Sequence, residues 1–141
     1  MRFVCGAPVT KVQALCIQTA NAAETPEDSI SVNLQFADGS VGTLEYVAFG
    51  DTALPKERCE IHGEGSTAVM DNFCTTVCSG KLGKRKLKGR QQKGFAEELA
   101  ATVVAVKAGA AMPIAWCEIE NVTRATFAVL KAVKSGESEA V

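Results

Sequence analysis

Two cationic side chains sit where they could hold a ligand. Arg58 lies in Pro55-Lys56-Glu57-Arg58-Cys59-Glu60-Ile61-His62, and Lys93 in Gln91-Gln92-Lys93-Gly94-Phe95. A guanidinium offers a planar fork of donors and an ammonium a compact charge, so either can donate to the hydroxyl or carboxylate groups of a bound molecule. The plainer alternative for both is a surface salt link, with Glu57 or Glu97 as partner. His62 is the sole histidine. It lies beside Glu60 and Glu64, where a surface role outweighs general-base work. Ser66 and Ser79 fall in turns with no base at hand, so no nucleophilic triad can be assembled and no catalytic residue is assigned.

Other chemistry-bearing patterns resolve into structure. Gly63-Glu64-Gly65-Ser66-Thr67-Ala68 fits the spacing of a dinucleotide fingerprint, but that device needs a strand before it and a helix after it. Here Val69 to Phe73 reads as more strand, so a hairpin turn is expected and no cofactor-binding residue is assigned. The six cysteines, Cys5, Cys16, Cys59, Cys74, Cys78 and Cys117, form no C-x-x-C pair, and one histidine cannot complete a zinc site. They are expected as small buried hydrophobes, and no metal site is assigned. Lys81, Lys84, Arg85, Lys86, Lys88, Arg90 and Lys93 concentrate positive charge in one segment. Without interleaved aromatics this reads as a solvated, charge-protected edge strand, with an anion site as the alternative. Asn121-Val122-Thr123 matches a glycosylation sequon but falls inside an expected helix.

Bulk composition narrows the class. The 141 residues suffice for a single domain, 1–141, with 47% apolar and 22% charged residues. A net charge of -1 argues against a dedicated nucleic-acid binder. No apolar run reaches the roughly 18 residues of a membrane span. Lys11 and Gln13 interrupt any signal-like start, so a soluble cytoplasmic protein is expected.

The first two-thirds of the chain have period two. Lys11 to Gln18, Ile30 to Phe36 and Val41 to Ala48 read as strands, the last two joined by Asp38-Gly39 as a type I′ hairpin. Lys56 to His62, Thr67 to Phe73, Thr75 to Cys78 and Lys84 to Lys88 follow with short turns. The period then changes. Phe95, Leu99, Val103 and Val106 recur at helical spacing up to Gly109, and a second stripe of Ile119, Val122, Thr126, Val129, Leu130 and Val133 runs from about Trp116 to Lys134. The expected fold is α+β: an open, mostly antiparallel sheet of about six strands, with two C-terminal helices packed on one face. Two helices cannot cover so wide a sheet, and its bare face carries apolar groups. Pairing of that open face with a second copy, as a homodimer, is therefore expected.

The order of these pieces resembles the C-terminal domain of the Gfo/Idh/MocA oxidoreductases, the family of glucose-fructose oxidoreductase and inositol dehydrogenase. The resemblance runs from Gly6-Ala7-Pro8-Val9 through Phe36-Ala37-Asp38-Gly39-Ser40, Pro55-Lys56-Glu57-Arg58 with Ile61, and Asp71-Asn72-Phe73. It continues in Gln92-Lys93-Gly94-Phe95, Met112-Pro113-Ile114 and Thr123-Arg124-Ala125-Thr126-Phe127. It implies an open antiparallel sheet whose free face builds oligomers. It also implies that NAD(P) and the catalytic lysine of a Glu-Lys-Pro motif belong to a preceding Rossmann domain, with an Asp-x-x-x-His motif just before this chain's first residue. No cofactor is then expected on this chain, which would be inactive alone and would serve as the substrate-side and oligomerisation domain of a sugar or cyclitol dehydrogenase. A free-standing module pairing with a separate Rossmann protein and an anion-binding protein are the alternatives. Two departures from the family stand out: Phe95 replaces a histidine common after Lys-Gly, and Cys117 replaces the usual cap of the second helix.

Overall fold

The computed structural model describes residues 1–17, 28–81 and 83–141. Gln18, the expected end of the first strand, and Leu82, inside the expected Gly80–Gly83 turn, lie outside them. The elements are α1 (Arg2–Cys5), β1 (Val9–Cys16), β2 (Ser29–Phe36), β3 (Val41–Val47), β4 (Arg58–Gly63), β5 (Ser66–Asp71), β6 (Thr75–Gly80), β7 (Arg85–Lys88), α2 (Phe95–Ala108), α3 (Trp116–Ser135) and β8 (Glu139–Ala140). All strand pairs are antiparallel, and the fold is an open α+β arrangement. The strands divide into two four-stranded sheets, ordered β3-β2-β1-β8 and β4-β5-β6-β7. The residues group into two compact units, Met1–Phe49 with Val104–Val141, and Gly50–Val103.

The first unit holds the core. Period-two alternation turns Val32 and Phe36 of β2 inward beside Val12 and Ala14 of β1, and α3 closes over them with Ala125, Ala128 and Ala132. Phe36 is only 2% exposed, so its burial alone contributes about 2 kcal/mol. The buried stripe of α3 differs from the expected one. Val129 and Val133 pack on the core, but Ile119, Val122, Thr126 and Leu130 stay exposed, and alanines take the centre. Small side chains let the helix axis approach the sheet closely, so the deepest positions are the least bulky ones.

Asn121 locks this packing. Its Oδ1 accepts from the Val9 N–H at 2.8 Å, and its Nδ2 donates to the Val9 C=O at 2.9 Å. Val9 lies at a register irregularity of β1, where the ladder to β2 shifts. The amide thus satisfies both backbone groups from across the helix–sheet interface, as a strand would. The apparent sequon at 121–123 is structural. At its start α3 has Ala115 as N-cap with no side-chain cap, so Cys117 lies inside the helix rather than at the capping position. Gly136, at φ 73°, ends it in the left-handed C-cap the sequence calls for.

The Asp38-Gly39 hairpin forms, but with a different turn. Only Gly39 has positive φ, and the Gly39 N–H donates to the Phe36 C=O at 3.0 Å. This is a type I turn followed by a left-handed glycine, not type I′. The Asp38 carboxylate explains the choice: it accepts from the Ser40 N–H and Oγ, each at 3.0 Å, which fixes Asp38 at negative φ. Those hydrogen bonds, backbone first, also hold its pKa below the ordinary 3.8.

Helix α2 runs from Phe95 to Ala108 as expected, and Gly109 follows at φ 61°. Its large apolar stripe is not a buried one. Phe95 is 74% exposed, Leu99, Val103 and Val106 are exposed with it, and only Ala105 is buried.

Candidate functional site

The second unit, Gly50–Val103, presents the chemistry-bearing side chains. Alternation along the edge strand β4 puts Arg58, Glu60 and His62 on one face. The Arg58 Nε donates to Glu60 Oε1 at 3.0 Å, and its Nη2 donates to the same oxygen. His62 Nε2 lies 3.6 Å from Glu60 Oε2, and its Nδ1 is 3.1 Å from Thr67 Oγ1 on β5. The Arg58 hydrogen bonds, then its charge, hold the Glu60 carboxyl below the ordinary 4.5. Glu60 is therefore a poor proton donor or acceptor near neutrality, and the row is a polar, solvated stripe. Arg58 pairs with Glu60, not with Glu57 or Glu97.

Lys93 belongs to a different constellation. Its Nζ donates to Glu57 Oε1 at 3.2 Å and stands 5.9 Å from the Phe73 ring centroid. The salt link with Glu57 is thus present, and it comes with an aromatic neighbour. Arg58 and Lys93 share no partner.

Phe73 projects from the β5–β6 turn, which the sequence reading takes as strand. The strand stops at Asp71, and the Cys74 N–H donates to the Asp71 C=O at 2.9 Å. Asn72 and Phe73 both have positive φ, 50° and 55°, as a type I′ turn requires. Asn72 tolerates this region; a bulky phenylalanine is an outlier there. Neighbours fix the turn. The Asn72 N–H donates to the Glu57 C=O at 2.7 Å, Gln91 Nε2 donates to Asn72 Oδ1 at 2.9 Å and to its C=O at 3.2 Å, and the Gly89 N–H reaches the Cys74 C=O at 2.9 Å. Glu57, Asn72, Phe73, Gln91 and Lys93 therefore converge on one turn. Of these the sequence reading names Lys93 as a ligand contact and Glu57 as its salt partner; Asn72, a residue type that tolerates positive φ, is the signal that could have marked the turn.

The glycine-rich stretch is a hairpin. Gly63 pairs with Ser66 around Glu64 and Gly65, which have φ 50° and 72°, and β5 follows with no helix. No helix N-terminus faces a pyrophosphate there, so these residues do not fit a dinucleotide. Gly80 packs against the same hairpin: a Cβ on it would lie 2.2 Å from the Gly65 carbonyl oxygen. Among the described residues no cluster of three His, Cys, Asp or Glu is placed to hold a metal. The cysteines are not the buried hydrophobes expected: five are half-buried and Cys117 is exposed.

The basic segment forms the outer strand of the second sheet, as expected for a charge-protected edge. Arg85, Lys86 and Lys88 lie on β7, and among the described residues no carboxylate pairs with Lys81, Lys84, Arg85, Lys86, Lys88 or Arg90. No described helix is long and apolar enough to cross a membrane.

No protein-family model matches the chain, and no curated protein sequence does. Solved structures do. An oxidoreductase domain protein from Kribbella flavida superposes with a TM-score of 0.78 at 17% identity, over 99% of this chain and 48% of its own length. The aldose-aldose oxidoreductase from Caulobacter crescentus, complexed with glycerol, gives 0.76 at 15% identity over 99% and 43%. A levoglucosan dehydrogenase in complex with NADH gives 0.73 at 15% over 95% and 45%. The chain thus spans less than half the length of each. These neighbours are Gfo/Idh/MocA-type oxidoreductases, and what this chain shares with them is the fold that its sequence pattern resembles.

Proposed function

We propose that the chain is the substrate-side half of an NAD(P)-dependent dehydrogenase-like protein of the cytoplasm, acting on a sugar or cyclitol hydroxyl and inactive without a nucleotide-binding half. One observation carries this reading: nearly the whole chain superposes on less than half of each matched oxidoreductase, two of which are named for work on sugars. The failure of Gly63–Ala68 to fit a dinucleotide supports placing NAD(P) on another part of the protein. Lys93 with Glu57, and Arg58 at the start of β4, are the ligand contacts of this reading. Expression of the chain together with any in-frame upstream segment tests it. NAD(P)+ reduction by a polyol is expected from the longer protein and not from the 141-residue chain; turnover by the chain alone would overturn the proposal. If no such segment exists, a separately encoded nucleotide-binding partner takes its place.

Exposed apolar surface supports an oligomeric role. The α2 stripe and the face of the second sheet bearing Cys59, Ile61, Ala68, Met70, Cys78 and Leu87 lack buried side chains. A homodimer through an open sheet face is the arrangement we infer, and a monomer at high micromolar concentration in sedimentation would reject it.

The unpaired cations of β7 favour a second reading, an anion-binding protein. Salt-sensitive retention on heparin, lost on neutralising Lys84, Arg85 and Lys86, would support it over the first.

A further inference from the structure

The two sheets have edges of different character. In the second sheet β7 closes one side with Arg85, Lys86 and Lys88, and β4 the other with Arg58, Glu60 and His62. In the first sheet β8 is two residues long. Charge and brevity are the usual protections against pairing with a foreign strand. β3 has neither. Val41–Val47 runs for seven residues without Lys, Arg or Pro, and its register with β2 is unbroken. No described strand pairs with its outer side. Its one charge, Glu45, accepts from Ser31 Oγ of β2 at 2.6 Å. Val41 is 79% exposed and Tyr46 56%.

Hydrogen-bond alternation decides which backbone groups of β3 are turned outward. The Phe36 N–H donates to the Ser40 C=O at 2.9 Å, so these two residues form a hydrogen-bonded pair. Every second pair beyond it is of the same kind: Leu34 with Gly42, Val32 with Leu44, and Ile30 with Tyr46. The N–H and C=O groups of Val41, Thr43, Glu45 and Val47 therefore point away from β2, along the open edge.

We propose that β3 pairs antiparallel with β3 of a second copy about a two-fold axis at Leu44, which joins two first sheets into one. The contact is made by backbone at an edge. It is separate from the face-to-face pairing inferred above and does not rest on the dehydrogenase-half reading. The side chains select the register. Centred on Leu44, Val41 meets the partner's Val47, Thr43 the partner's Glu45, and Gly42 the partner's Tyr46. Edge-pointing groups then face edge-pointing groups throughout the strand. A tyrosine across from a glycine covers the bare backbone of the smaller residue. The Met1 methyl already fills the place of a Gly42 Cβ, 2.1 Å from it, so the ring would also meet a thioether, a favourable contact. Centring on Glu45 would set two carboxylates directly opposite each other, which is destabilising. Centring on Thr43 would drop Val47 from the ladder and set Glu45 against Val41. The Leu44 register avoids both.

Sedimentation of the 141-residue chain and its edge variants tests this. Thr43→Pro removes an outward N–H from each strand and spares the ladder to β2, so self-association should weaken by about tenfold or more while the far-ultraviolet spectrum stays the same. Val41→Lys sets a charge on the edge and should act alike, which keeps the test decisive should the proline variant not fold. Leu44→Cys puts two thiols at a non-hydrogen-bonded pair, where Cα atoms stand about 4.5 Å apart, within disulfide range. Mild oxidation should link position 44 to itself across the axis, as read by peptide mass mapping, and Val41→Cys should form no such link at position 41. A monomer at high micromolar concentration rejects both this contact and the face pairing. Association unchanged in the edge variants, or no link at position 44, overturns the edge contact and leaves the face pairing standing.

Discussion

The two units of this chain solve the problem of a four-stranded sheet in opposite ways. In Met1–Phe49 with Val104–Val141, one helix seals the sheet, and Val12, Phe36 and Ala132 are almost wholly removed from water. In Gly50–Val103 no described residue is buried; the strands are joined by their ladders and by short hairpins, with polar side chains on one face and half-exposed cysteine, methionine and isoleucine on the other. The first unit holds every buried residue among those described. The second is built around its surfaces: an ion-paired stripe, a strained aromatic turn and an uncovered apolar face. Ligand-contacting elements are drawn from the less stable parts of a molecule, and the ligand contacts proposed here, Glu57, Arg58 and Lys93, all lie in the second unit.

The sharpest way to break the comparison is to hollow the first unit. Phe36→Ala should cost about 4 kcal/mol, enough to shift its thermal or urea midpoint drastically. A loss under about 1 kcal/mol would mean the core is not where stability resides. Gly80→Ala asks the equivalent question of the second unit, where a Cβ meets backbone at φ 86°. It should cost about 3 kcal/mol and be seen as loss of chemical-shift dispersion in β4 to β6. Asn121→Ala, which strands both backbone groups of Val9, should cost about 2 kcal/mol, with Asn121→Asp recovering little because it cannot donate to the Val9 C=O. Acid gives the smallest effect. The Glu60 carboxyl is held below its ordinary 4.5, so its contribution is present above that value and lost as pH falls through the lowered one. Melts at pH 7 and pH 3 should show wild type losing slightly more stability than Glu60→Gln, and identical pH dependence would remove the Arg58–Glu60 pair from the account.

Much of the fold was legible because alternation and punctuation are local. Ile30 to Phe36 declared a half-buried strand, and Gly109 and Gly136 marked the helix ends. What escaped depended on contacts distant in sequence. The choice of alanines over Ile119 and Val122 as the buried stripe of α3 follows from how closely the helix sits on β1, which no periodicity reports. The two-residue β8 is too short to carry a pattern. The Asp38 turn type was decided by Ser40, two residues on. At the site, Lys93 was visible as a donor and its salt link to Glu57 was weighed. Phe73 was not, since a phenylalanine after a strand reads as more strand, and the turn shows in the hydrogen bonds Asn72 accepts from Gln91 and donates to the Glu57 C=O. Arg58 was visible too, yet its partner Glu60 lies on its own strand face, where period-two spacing could have foretold it.

Calorimetric titration of the 141-residue chain with NADH, run beside a neutral polyol, tests the central claim most directly. The account predicts heat from the polyol and none from the nucleotide. Micromolar NADH binding would contradict it.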